Sequence, residues 1–118
     1  MNLQKAKRLV ESAHEAGLQA GKSVECKNMI VADGGKVHIV PDGPCGFAYI
    51  HIKSANSNVA KAMIEILGAM KSDSYGGLLL SVDEFDQSVT RKNAYARAFA
   101  KVLAESGMKK VYLWSRYS

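Results

Sequence analysis

The run Cys45-Gly46-Phe47-Ala48-Tyr49-Ile50-His51-Ile52 constrains the fold more than any other stretch of the chain. It is rich in aromatic and β-branched residues and reads as a strand. Alternation sends Ala48, Ile50 and Ile52 to one face and Cys45, Phe47, Tyr49 and His51 to the other. A strand of this kind needs neighbours and a covering layer, and the flanking patterns supply both.

Residues 3 to 20 carry an apolar stripe at three- and four-residue spacing: Ala6, Leu9, Val10, Ala13, Ala16 and Ala20. That spacing predicts a helix, with Asn2 as its N-cap, Lys7 and Glu11 paired on the polar face and Gly21 as its stop. Residues 24 to 40 predict a hairpin turning at Asp33-Gly34-Gly35, and Pro41-Asp42-Gly43-Pro44 is a turn. After Ile52, the loop 54–58 leads into a second helix to about Met70, with Val59, Met63, Ile66, Leu67 and Met70 as its buried stripe. Leu78–Val82 reads as a short strand, residues 88 to 106 as the third helix, and Lys110–Tyr117 as a last strand. The expected order is α-β-β-β-α-β-α-β, a single α/β (α+β) domain with about five strands in one mixed sheet and three helices. A parallel final β-α-β step would cross over right-handed.

A chain of 118 residues fits one domain with one core. No apolar run nears the roughly 20 residues of a bilayer span, and the start Met1–Lys7 lacks a secretory h-region. The expectation is a cytoplasmic protein with Cys26 and Cys45 as reduced thiols and no membrane partner. The formal net charge of +5 favours anionic partners.

Gly46–Ile52 resembles the RNP1 motif of the RNA-recognition fold, in which a strand displays aromatics that stack on bases. Cys45 stands where that motif has Lys or Arg, and Ile52 replaces its last aromatic. No strand precedes the first helix to carry the partner motif. The competing reading packs Phe47 and Tyr49 under a helix or at an interface. A second candidate is the start of the third helix, Asp86 to Lys92, where free backbone N–H groups suit an anion. Arg91 and Lys92 stand there against the usual preference for acids, which is either a functional device or a solvated helix shoulder. Cys45 and His51 are about 20 Å apart along one strand and cannot act as a nucleophile–base pair. No cysteine or histidine spacing suits zinc. Gly76-Gly77 is read as a turn.

From Pro44 onward the chain resembles a group of small proteins encoded by phages and other mobile elements. Cys45–Tyr49, Tyr75-Gly76-Gly77, Gln87-Ser88, Arg91-Lys92, Ala94–Ala100, Val102-Leu103, Gly107 and Ser115-Arg116 carry the likeness. It departs at Tyr49, where the group has Trp, at Asp86, where it has Asn, and at Tyr117 or Ser118, where it has an acid. The resemblance implies a mobile-element origin and carries over no catalytic residue.

The leading expectation is a non-catalytic binding protein that acts on nucleic acid or a host protein–nucleic-acid assembly, of host-takeover or anti-defence type. Arg91, Lys92, Arg97, Lys101 and Arg116 are the expected anion contacts. Phe47, Tyr49 and Trp114 are the expected stacking or interface residues. No catalytic residue, metal or cofactor is expected. One alternative is a small-molecule or enzymatic pocket of Cys45, Tyr75, Gln87 and Ser88, between the 42–45 turn, residues 75–77 and the helix start at 87–92. The other is an oligomeric structural or inhibitory protein, a homo-oligomer joined through Tyr112, Trp114 and Tyr117.

Overall fold

The computed structural model describes residues 2–24, 29–33, 36–40, 46–72, 76–85, 88–108 and 110–117. It has three helices, α1 (Leu3–Ser23), α2 (Asn58–Leu67) and α3 (Val89–Glu105). The strands are β1 (Met29–Asp33), β2 (Lys36–Val40), β3 (Gly46–Ile52), β4 (Met70–Lys71), β5 (Leu78–Ser81) and β6 (Val111–Tyr117).

The strands form two sheets. Among the described residues β1 and β2 pair with each other alone, antiparallel, from Met29 opposite Val40 to Asp33 opposite Lys36. The other four run in the order β4-β5-β3-β6, each antiparallel to its neighbour. This departs from one mixed sheet of about five strands. The added strand is β4, where Met70 and Lys71 pair with Leu79 and Leu78. β5 and β6 do run parallel to each other, but β3 lies between them, so no parallel ladder forms. From Gly46 onward the chain reads β-α-β-β-α-β, the split βαβ arrangement. α1 and the β1–β2 hairpin precede that unit, so β3 is its first strand and α2 its first helix.

The helix caps follow from local chemistry. Asn2 Oδ1 accepts from Lys5 N at 2.8 Å, and Ser57 Oγ accepts from Ala60 N at 3.1 Å. Each satisfies a backbone donor that the first helical turn leaves unpaired. α2 ends earlier than the expected Met70. Gly68 takes a left-handed φ of 71° and its N–H closes back on Ile64 and Met63. That turn throws Met70 out of the helical stripe and onto the sheet edge, where it is 73% exposed. α1 in turn runs past Gly21, which is a buried contact and not a stop.

The core is one cluster. Ala48, Ile50, Ile52, Leu78 and Leu80 of the sheet meet Val59, Ala62 and Met63 of α2 and Tyr95, Phe99 and Leu103 of α3. α1 packs chiefly on α3 and α2, through Ala6, Val10, Ala13, Gly17 and Gly21. Those small residues admit large partners: a Cβ on Gly17 would lie 2.5 Å from the Tyr95 ring. Lys7 reaches across to Glu65 of α2 at 3.1 Å, an exposed pair worth little. All three helices therefore lie on one side of the sheet.

Candidate functional site

Opposite residues in an antiparallel ladder share a face. β3 and β6 pair Phe47 with Arg116, Tyr49 with Trp114 and His51 with Tyr112. β5 adds Ser81 opposite Tyr49 and Leu79 opposite His51, and β4 adds Met70 opposite Leu79. Because Ala48, Ile50 and Ile52 point into the core, all of these side chains point to the face that carries none of the three helices. The strand alternation visible in the sequence thus becomes a surface of five rings.

The rings are arranged in rungs. Tyr49 and Trp114 stack with centroids 4.3 Å apart and planes 25° apart. His51 and Tyr112 form the next rung, 6.0 Å apart and tilted by 33°. Trp114 is 38% exposed and Tyr112 46%, whereas His51 is nearly buried beneath them. A hydrogen bond of 2.7 Å joins His51 Nε2 to the Gly76 carbonyl, so Nε2 carries the proton. Gly77 fixes this approach. Its φ is +70°, and a Cβ there would lie 2.1 Å from the Ile52 carbonyl oxygen.

Cations sit against the rings. Lys92 Nζ lies 5.6 Å from the Phe47 centroid, and the Arg116 guanidinium carbon lies 5.1 Å from it. Lys53 Nζ lies 5.7 Å from the Tyr112 centroid. These are cation–π distances, in which a ring face holds a positive group near the surface. Lys92 as a whole is buried, and its ammonium stands against the Phe47 ring.

The expected anion contacts are placed unequally. Lys92 and Arg116 meet at Phe47. Arg97 is exposed and lines a shallow cleft of about 190 Å³ with Asn93, Leu113, Trp114 and Ser115. Lys101 is exposed one helical turn further along α3. Arg91 turns the other way: its guanidinium donates to the Gly21 carbonyl at 2.8 Å and to that of Lys22 at 3.4 Å, at the end of α1. Ser88 is the N-cap of α3, its Oγ accepting from Arg91 N at 3.3 Å. Cys45, Tyr75 and Gln87 lie outside the described residues, as do Cys26 and the 41–45 turn. Among the described residues no three of His, Cys, Asp and Glu group to hold a metal. No described helix is long and apolar enough to cross a membrane.

Phe47, Tyr49 and Trp114, expected from alternation and composition, share one face of the sheet. Sequence reasoning missed His51, Lys53 and Tyr112 as one group, because the register that joins them spans about 60 residues of chain. The signals for it were the parity that sets His51 on the face of Phe47 and Tyr49 and the nearness of Tyr112 to Trp114 in the last strand. Compared with known proteins, the chain matches no family model, no curated protein and no solved structure.

Proposed function

We propose that this chain is a non-catalytic binding protein of phage or mobile-element type, whose helix-free sheet face takes single-stranded nucleic acid. The observation that carries the reading is the conjunction on that face: a stacked Tyr49–Trp114 pair beside Phe47, with Lys92 and Arg116 at the Phe47 ring. Rings stack on any base, and cations follow the phosphates, so the two together suit an unpaired strand. Arg97 and Lys101 extend the positive charge along α3 beside β6. The likeness of β3 to RNP1 adds support, because β3 is a central strand of a four-stranded sheet with one face free of the described helices.

Titration of labelled single-stranded DNA, single-stranded RNA and duplex DNA at two salt concentrations tests the reading. Single strands are expected to bind more tightly than duplex, and affinity should fall as salt rises. Absence of single-strand binding at low salt rejects it.

A second reading has its own observation. Tyr112, Leu113 and Trp114 are all exposed on β6, an edge strand seven residues long. Such edges invite pairing between copies. A stable dimer by light scattering, with Trp114 protected from quencher, would favour that alternative.

A further inference from the structure

We propose that the cleft between the two ring rungs is a nucleobase subsite: a base enters between Tyr112 and Trp114, over His51, with its phosphate at Lys53. The proposal rests on the single-strand reading above and assigns its point of closest engagement. The cleft has a volume of about 470 Å³ and is lined by His51, Lys53, Tyr112 and Trp114.

The spacing comes from the ladder. Tyr112 and Trp114 are two residues apart on one strand, so their Cα atoms are separated by about 6.8 Å along it. Stacked bases in a strand repeat at about 3.4 Å. The gap between the two side chains along the strand is therefore about twice that repeat, wide enough for one planar ring. Each of those rings is already held by its own rung partner, Trp114 by Tyr49 and Tyr112 by His51. Little side-chain freedom remains to be lost on binding. The bond from His51 to the Gly76 carbonyl fixes the floor.

The charge selects the ligand class. Among the described residues that line the cleft, Lys53 is the charged one. Its ammonium stands beside the Tyr112 ring, within reach of a group attached to whatever enters there. A flat aromatic ring bearing an anionic tether is a nucleotide. The base must be unstacked to enter, which excludes a paired duplex.

Trp114 is the only tryptophan, so its fluorescence reports on the cleft directly. The probes are a short oligothymidine, the same backbone without bases, thymidine monophosphate and thymidine. The oligonucleotide should quench Trp114, and the abasic chain should bind without the same quenching. Tyr112→Leu keeps apolar bulk but removes the ring, and is expected to weaken the oligonucleotide about five- to a hundredfold. Tyr112→Phe keeps the ring and should bind like the parent. Lys53→Met should lower the dependence of log affinity on log salt by about one charge. If the parent binds the oligonucleotide and Tyr112→Leu binds it equally well, the subsite is wrong and the sheet-face reading stands. If the parent binds no oligonucleotide, the sheet-face reading fails. In that case Tyr112-dependent quenching by the monophosphate alone would keep the subsite, and its absence would remove it too.

Discussion

Tyr95 places a phenol in the core at 1% exposure, and its hydroxyl finds Nδ1 of His14, which Glu84 approaches at 4.0 Å. Burial, with the charge of Glu84 adding to it, pushes the phenol well above its ordinary value of 10.0. The sign follows by linkage: the unfolded chain ionises near pH 10 while the folded chain keeps its proton. Stability from this group is therefore complete below pH 10 and is lost as pH rises beyond it. Tyr95→Phe should cost about 1 kcal/mol at pH 7, the hydrogen bond to His14 being lost. Denaturation across pH 9 to 11 should then show a smaller alkaline loss in the variant than in the parent. At this scale the sequence was partly legible. Phe47 and Tyr49 announced themselves by parity along their strand. Arg91 did not, because its partners are carbonyls 70 residues away at the end of α1. Periodicity carries no trace of a side chain that satisfies a distant helix terminus.

At the scale of elements, β3 and β6 are held close by a missing side chain. A Cβ on Gly46 would lie 2.4 Å from the Arg116 carbonyl oxygen and 2.9 Å from Val89 Cβ. Backbone on one side and the start of α3 on the other leave nothing soft to yield. Gly46→Ala should cost about 1–3 kcal/mol and loosen this end of the β3–β6 ladder. Hydrogen exchange should show faster exchange near Ala48 and Ser115 than near Ile52 and Val111. The three helices and the strand β3 were readable because each shows a stripe or alternation several residues long. β4 was not, because two residues carry no period. Its existence depends on Gly68, whose left-handed turn ends α2 and redirects Met70 from a helix stripe to the sheet.

For the whole molecule, the net charge is +5, and three of its cations lie against the rings of the sheet. The helices occupy one side of the sheet, the rings with Lys53 and Arg116 occupy the other, and Lys92 reaches the Phe47 ring from α3. Arg116 is exposed, so its replacement tests charge without disturbing the core. Arg116→Glu should leave stability within about 0.5 kcal/mol. It should weaken single strands of different sequence alike and flatten the salt dependence by about one charge or more. Equal affinity for parent and variant at low salt would remove Phe47 and its cations from the binding surface. The α+β class was legible from the order of patterns. The partition into a two-stranded hairpin and a four-stranded sheet was not, since strand adjacency is decided by long-range packing.

The seven-residue pairing of β6 with β3 has a consequence for how recognition fails. Side chains along a strand alternate with a period of two. A displacement of β6 by a single residue would hand the outer surface to Leu113 and Ser115 and drive Tyr112 and Trp114 toward the helices. No intermediate offset exists in which the outer surface is merely weakened. Misalignment of this one strand and loss of the ligand would be a single event, and the sheet would switch between competent and blank.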